Sequence, residues 1–369
     1  MKIAVTSVMG DPRNPATWSN APAHLIYELE ALGVTVVALD SSPLTKAQKV
    51  YFALRTYLRG YPVREAARFS DLRSFRGQRV AKCARESGVD HILCTSTMDA
   101  PSESNLPYSL WIDNTWDLYC SSASAPRWSG SAIKQVERLE RTALTRAEQV
   151  LTFSEHVKRN VIEHYGVSPA NVHVVGCGSG PLPAFTGEKE FTTGHMLFVA
   201  KHLFVKKGGE LALEAFKLVQ EKRPETRFVI VGDDALVQRV TGIDGVTAYG
   251  YLSREKLNQL FYDAAILVQP MASDPWGQVY LEAMKARAVV VSLNVAAVPE
   301  ITDEARLGVL AEEVSPEAIA EAILSIYARR QEDLDAMTRS AQARVLDLYE
   351  WPIVARRIYD ALSSSVEDR

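Results

Sequence analysis

Short apolar runs alternate with helix-period segments along the whole chain, and few folds can satisfy that alternation. Lys2–Val8, Val34–Leu39, His91–Thr95, Ser109–Asp113, Gln149–Phe153 and Val172–Val175 read as buried strands. Between them Ala21–Leu32, the basic stretch 43–87, Ser131–Arg146 and Val157–Tyr165 read as helices, two of them stopped by Gly33 and Gly166. Buried strands joined by amphipathic helices make parallel sheets covered on both faces. A stretch rich in Gly, Pro and Thr at 176–194 interrupts the pattern, which then restarts. Strands are expected at Met196–Ala200, Arg227–Val231, Val246–Ala248, Ala265–Gln269 and Ala288–Leu293, with helices at Gly208–Glu221, Arg254–Tyr262, 315–328, 331–349 and 352–364. The expectation is therefore an α/β protein of two doubly wound domains. Residues 1–180 form the first, 181–194 a linker and 195–350 the second, and a final helix at 351–369 returns to the first. Such sheets take ligands at the carboxyl ends of their strands, so a cleft between the domains is the expected site.

At 369 residues the chain can bury two cores of ordinary size. It is 47% hydrophobic and 23% charged, as a soluble globular protein is, and no apolar run approaches the ~20 residues of a membrane span. MKIAVTSVMG reads as a first strand and not as a secretory leader. Cysteines 83, 94, 120 and 177 have neither metal-ligand nor disulfide-framework spacing, so a reducing cytoplasm is expected. The scattered histidines argue against zinc chemistry, and no metal is expected. The net charge of −4 hides one asymmetry. From Lys46 to Arg85 eleven basic residues face two acids, Glu65 and Asp71, with aromatic residues interleaved. A solvated helix face explains that stretch as well as a patch for anionic lipid or a phosphorylated glycan does. Nucleic acid is not expected, because no reading module accompanies the charge.

The densest chemistry lies in SDPWGQVYLEAM, 273–284. Asp274 followed by Pro275 reads as an acidic N-cap with proline at the first helical position. The amides of Trp276, Gly277 and Gln278 would then point out of the helix start as a cradle for phosphate or sugar oxygens. Glu282 would follow about 12 Å along the same axis, rotated by only ~80°. Two carboxylates so placed can grip both ends of a nucleotide sugar. Upstream, Lys201 sits at a strand end and Lys207-Gly208-Gly209 opens a helix, a combination that suits a diphosphate. VIVGDD and AYGYLSREKL end strands in glycine turns at Gly232 and Gly250-Tyr251, where backbone groups can recognise a base. Asp113, at the end of an apolar strand, is a candidate acceptor contact and equally a turn cap.

Residues 196–310 resemble the donor domain of glycosyltransferase family 4, the retaining nucleotide-sugar transferases of the GT-B fold with two Rossmann-like domains. Ala200-Lys201 and Lys207-Gly208 resemble the family's G-R…K-G segment, with Lys206 a competing register. Asp274…Glu282 resembles its E-x7-E motif, and WGQVYLEAM and VPEI fit the same template. Pro107–Tyr119, Leu144–Gly180 and Tyr349–Leu362 resemble further family segments more loosely. The resemblance implies that Lys201 and Lys207 contact the donor diphosphate. It puts Asp274 and the amides of Trp276–Gln278 on the transferred sugar, Glu282 on the ribose, and Ser19-Asn20 at the sugar pocket. It also implies retention of configuration without a metal or other cofactor, with covalent and front-face mechanisms both open. Three departures stand out: Asp274 replaces the commoner Glu, Lys201 replaces Arg, and the loop Gly10–His24 replaces a glycine-rich one.

The resulting expectation is transfer of a hexose-type sugar to a glycan or lipid-linked acceptor in cell-envelope polysaccharide or lipopolysaccharide synthesis. The enzyme would be cytoplasmic, with peripheral contact to anionic membrane through residues 46–85. The alternatives are a nucleotide-sugar epimerase or hydrolase on the same fold, or a non-catalytic glycan-binding descendant.

Overall fold

The computed structural model describes residues 1–200 and 203–367, with side chains described through Ser364. The chain divides into two compact units. The first comprises Met1–Ser121, Ala125–Cys177 and Trp351–Arg369; the second comprises Ser122–Ser124 and Gly178–Glu350.

In the first unit, β1 (Lys2–Ser7), β2 (Thr35–Asp40), β3 (His91–Cys94), β4 (Tyr108–Ile112), β5 (Val150–Thr152) and β6 (Val172–Val174) form an all-parallel sheet in the order β2-β1-β3-β4-β5-β6. Helices α1 (Ala21–Ala31), α2 (Lys46–Leu58), α3 (Ser70–Ser87), α4 (Trp116–Ser121), α5 (Gly130–Arg146) and α6 (Glu155–Glu163) connect and cover it. Thr45 opens α2 through a capping box with Gln48, and Gly88 closes α3 in the left-handed region at φ 59°, which L side chains rarely adopt. The core joins the apolar faces of Ile92, Leu110, Ile112 and Val150 to Val80, Ala84, Val157 and Val161 of the helices.

Several arginines of the basic stretch read from the sequence find partners within this fold. Arg55 and Arg59 share Asp71 at 3.2 and 3.0 Å, and Arg68 pairs with Glu65 at 3.0 Å. Arg73 is buried and donates 2.7 Å to the Thr97 carbonyl, and burial pushes its guanidinium down to about 10. Arg76 is buried too, while Arg79 donates to the carbonyls of Pro43 and Asp40. These contacts tie α3 to its neighbours, while Lys46, Lys49, Arg64, Lys82 and Arg85 stand exposed.

In the second unit, β7 (His195–Val199), β8 (Phe228–Val231), β9 (Val246–Tyr249), β10 (Ala264–Val268), β11 (Val289–Leu293) and β12 (Gly308–Ala311) form a second parallel sheet, ordered β12-β11-β10-β7-β8-β9. Helices α7 (Gly209–Lys222), α8 (Asp234–Val240), α9 (Arg254–Asp263), α10 (Gln278–Lys285), α11 (Val298–Ile301), α12 (Pro316–Tyr327) and α13 (Gln331–Leu348) accompany it. Strand order reverses between β7 and β10, so the crevice between their carboxyl ends is where such a sheet takes ligands.

Residues 181–194 are not a free linker. Phe191 is buried, and the Lys189 ammonium donates to the carbonyls of Phe261 (3.3 Å), Tyr262 (2.5 Å) and Ala286 (2.9 Å). A segment without periodicity can still dock when one long side chain satisfies several orphan carbonyls. The last helix, α14 (Trp351–Glu367), belongs to the first unit. It packs on α1, stacks Trp351 on His24 at 5.4 Å, and reaches the Val175 carbonyl through Arg357 at 3.4 Å.

Candidate functional site

The second unit's site begins where β7 and β10 end. After Val199 and Ala200 the chain passes through Lys201 and His202, which lie outside the described residues, so the reading of Lys201 as a diphosphate ligand has no structural counterpart here. Lys207 and Gly208 then precede α7. Gly208 has φ +82°, and a Cβ there would fall 2.1 Å from the Pro270 carbonyl oxygen. Glycine at this position therefore lets the loop before α7 lie directly against the end of β10. The buried Gln269 side chain fastens the same junction, accepting from the Val199 N–H at 3.2 Å and donating to the Lys207 carbonyl at 3.3 Å.

Lys207, so held, forms an ion pair with Asp274. The lysine side chain is 34% exposed and the aspartate 17%, so the pair is half-sheltered yet reachable. The other Asp274 oxygen accepts from the Trp276 N–H at 3.2 Å. Asp274 does not cap a helix. α10 starts at Gln278 with Gly277 as N-cap at φ +77°, and no side chain caps it. A Cβ on Gly277 would meet the Tyr280 ring at 2.6 Å and Met271 Cε at 3.0 Å, so glycine suits this left-handed position, and the helix starts after it and not at Pro275. Asp274 and Glu282 are consequently not two acids of one helix, and the axial spacing expected from the sequence does not apply. Of the three amides assigned to the cradle, that of Trp276 is engaged by Asp274 and the other two flank the start of α10.

α10 buries Tyr280, Leu281, Ala283, Met284 and Lys285. The Tyr280 hydroxyl donates to the Gln269 carbonyl at 2.8 Å and pairs with Ser292 Oγ at 2.9 Å, which locks α10 to β10 and β11; burial pushes its phenol up. Glu282 lies on this helix with its side chain 14% exposed, and Arg254 at the start of α9 reaches Oε1 at 3.4 Å. Burial raises the Glu282 carboxyl, an effect that Arg254 and Lys285 offset in part. A Cβ on Gly180 would sit 2.1 Å from that same Oε1, so the glycine leaves the carboxylate its place.

The segment 178–180 and Arg254 belong to this site and were missed by sequence reasoning. The Gln278 side chain donates 3.0 Å to the Gly178 carbonyl. Lys285 donates to Glu350 (2.7 Å) and Ser179 (3.2 Å), and Ser179 also donates to Glu350 at 2.8 Å. The Gly-rich GCGSG run was the available signal for 178–180, and by itself it marks only a break in the strand–helix pattern. Arg254, in SREKL, looked like an ordinary residue of a helix's first turn.

Gly232 and Gly250 lie at the carboxyl ends of β8 and β9, on the same sheet edge. A Cβ on Gly232 would meet Leu236 at 2.2 Å and the Ala200 carbonyl at 3.0 Å, and one on Gly250 would meet Asp234 Oδ1 at 2.7 Å. Tyr251 is 59% exposed beside them. The structure thus brings Lys207 to Asp274 and Arg254 to Glu282 on one edge of one sheet, two cation–carboxylate pairs at which a diphosphate and a diol can replace existing partners.

Ser19, Asn20 and Asp113 belong to the first unit. Trp18, Ser19 and Asn20 are consecutive left-handed residues (φ 40°, 54° and 68°), and Asn20 Nδ2 lies 2.7 Å from His24 Nε2. Three such residues in a row store backbone strain, a feature that concentrates at functional loops. Asp113 directly follows β4 at that sheet's carboxyl edge. Trp111 and Trp116 are buried in the core, Trp111 against Trp18 and Phe153. Among the described residues no group of three or more His, Cys, Asp or Glu gathers as a metal site.

Residues 185–344 match the family model described as glycosyl transferases group 1. Sulfoquinovosyl transferase SQD2 of Arabidopsis thaliana is 33% identical over 105 residues, 27% of this chain and 20% of that protein. Glycogen synthase of Mycobacterium tuberculosis is 24% identical over 241 residues, 62% of this chain and 56% of that one. The chain therefore spans little more than half, or less, of these relatives. Among solved structures, sucrose-phosphate synthase from Thermosynechococcus elongatus superposes with a TM-score of 0.75 at 18% identity, covering 100% of both chains. HepE of Anabaena, solved in complex with UDP and glucose, gives 0.69 at 16% identity over 99% of this chain and 100% of its own. The fold is that of the GT-B glycosyltransferases, and residues 185–344, the bulk of the second unit, match the group 1 glycosyl transferases.

Proposed function

We propose that the chain is a metal-independent, retaining glycosyltransferase that takes a nucleotide-diphosphate sugar as donor. It passes a hexose-type sugar to a glycan or lipid-linked acceptor, in cell-envelope polysaccharide or lipopolysaccharide synthesis at the inner face of the cytoplasmic membrane. The observation that carries this reading is the Lys207–Asp274 pair at the carboxyl edge of the sheet, on the same unit as the sheltered Glu282. A donor diphosphate competes with Asp274 for the Lys207 ammonium. Once displaced, the carboxylate is released toward the sugar, beside the start of α10 with its partial positive charge. Glu282 exchanges the long contact to Arg254 for the ribose hydroxyls, which suit a sheltered acid better than water does. Catalysis is then electrostatic, with Lys207 holding the departing diphosphate next to an oxocarbenium-like sugar. Lys201 joins it on the diphosphate, Gly232, Gly250 and Tyr251 surround the base, and Ser19, Asn20 and Asp113 shape the acceptor side. HepE, solved with UDP and glucose, supports the donor class.

The test is a panel of UDP-, GDP- and ADP-sugars with and without glycan acceptors, with the product anomer read by NMR. Nucleotide release that requires an acceptor and keeps the donor's configuration is expected for one donor. Glu282→Ala should weaken binding of that nucleotide about tenfold, the worth of one charged hydrogen bond of ~1.5 kcal/mol. Asp274→Asn should lower turnover more than donor affinity. Acceptor-independent release at the full rate, or an inverted product, would overturn the proposal.

A further inference from the structure

α2 is apolar on both faces, and the fold covers one of them. Phe52 and Thr56 are buried, Phe52 against Phe75 of α3 with ring centroids 5.3 Å apart. At about 100° per residue, Val50, Leu54, Tyr57, Tyr51 and Leu58 span an arc of about 120° centred opposite those two. They are 68, 54, 70, 54 and 70% exposed, so five large apolar side chains stand in solvent within nine residues of one helix. A contiguous apolar stripe of this kind marks a surface built to be covered.

We infer that this stripe is a bilayer-docking face that inserts into the headgroup region of an anionic membrane. This reading stands apart from the donor site and narrows the membrane contact proposed above from the basic stretch 46–85 to the outer face of α2. Charge selects the occupant. Lys46 to Arg64 contains five basic residues and no acid. Lys46 borders one side of the stripe on a long stem that can keep its charge at headgroup level, while Arg55 on the other side is paired with Asp71. Lys46 and Lys49 sit in and just after the first turn of α2, where the helix dipole disfavours cations, so helix stability does not account for them. A second copy of this chain docking stripe to stripe would bring the same basic excess, five exposed cations from Lys46 to Arg64 against the one acid Asp71, to its own surface. Anionic headgroups neutralise that excess. The two tyrosines place amphipathic rings at the stripe, as interfacial helices do. The arginines of α3 take no part, since Arg73 and Arg76 are buried and Arg79 is spent on carbonyls.

The experiment is flotation of the purified full chain with vesicles of phosphatidylcholine alone or mixed with phosphatidylglycerol. Thermal melts report folding, and light scattering after size exclusion reports mass. The wild type should float with the mixed vesicles and only weakly with neutral ones. Leu54→Glu combined with Tyr57→Glu should reduce flotation tenfold or more with an unchanged melt. Lys46→Ala with Lys49→Ala should reduce it a few-fold, on mixed vesicles only. Arg79→Ala should leave it unchanged while lowering the melting temperature. The inference is overturned if the wild type floats with neither vesicle, or if the Glu variant floats like wild type. It is equally overturned if the wild type is a dimer that the Glu variant splits, because a second copy then covers the stripe. A nucleotide-sugar assay on the same Glu variant keeps the donor reading separate, since donor binding should be unaffected.

Discussion

Replacing Gly208 by alanine tests the geometry of the second unit's crevice without any assumption about its ligand. Two costs combine. The backbone is at φ +82°, where an L side chain costs roughly 1–2 kcal/mol. The new Cβ would also lie 2.1 Å from a backbone carbonyl oxygen, that of Pro270, and backbone cannot rotate away as a flexible side chain can. Relieving that overlap means shifting the loop before α7 by about 1 Å, comparable to overpacking a core at ~1–3 kcal/mol. The sum is about 2–5 kcal/mol. Gly242 supplies the control, with nearly the same φ of +84° and nothing within 4 Å of its Cβ position. Gly242→Ala should show the backbone cost alone, about 1–2 kcal/mol, and the difference between the variants isolates the steric part. Urea unfolding followed by circular dichroism reads both. With a slope near 3 kcal/mol/M, Gly208→Ala should move the midpoint down by ~1 M and Gly242→Ala by about half as much or less. Because Lys207 is the adjacent residue, the Gly208 variant should also bind nucleotide sugar more weakly, and the Gly242 variant should not. Equal midpoints for the two variants, or a Gly208 variant within 0.5 kcal/mol of wild type (roughly the scatter of a neutral surface change), would refute the close approach of α7 to β10.

Three further outcomes follow from the same geometry. The Glu282 carboxyl is raised by burial from its ordinary 4.5, so the folded state keeps this proton over a pH range where the unfolded state has lost it. Stability should fall as pH rises through that window, and Glu282→Gln should be the more stable protein at pH 7.5 and equal to wild type below pH ~4, by urea midpoints at both. Lys189 is held down to about 7 by burial, against an ordinary 10.5, so the unfolded state binds the extra proton between those values. Stability should therefore rise with pH from 7 toward 10, and Lys189→Met should flatten that rise; an unchanged slope would show that the amine is not sheltered. Tyr280→Phe removes a buried hydroxyl between the Gln269 carbonyl and Ser292, and should cost about 1–3 kcal/mol in the same unfolding assay.

What the residues determined by themselves is the part of this protein that repeats along the chain. Apolar runs such as VVALD and FVIV, each followed by a helix-period segment, can be buried only as parallel strands between helices, so both sheets were legible from local pattern. The short strand Gly308–Ala311 and helices Trp116–Ser121 and Asp234–Val240 were not, because four to seven residues carry too little periodicity to outvote their neighbours. At the site, the residue types Lys207, Asp274 and Glu282 were legible, and their arrangement was not. Asp-Pro reads as a helix start, yet Gly277 at φ +77°, hemmed in by Tyr280 and Met271, delays the helix to Gln278. Arg254 meets Glu282 across 28 positions and Gly180 meets it across about a hundred, separations at which no local pattern is informative. The basic stretch was the clearest charge signal in the sequence, and folding buried Arg73 and Arg76 and gave Arg55, Arg59 and Arg79 fixed partners, because an arginine near Asp71 or an orphan carbonyl can be satisfied there. What only the tertiary structure decided was therefore which charges remain outside and which apolar face of α2 stays uncovered. Both depend on what packs against a helix, and a helix's own sequence does not contain its neighbours.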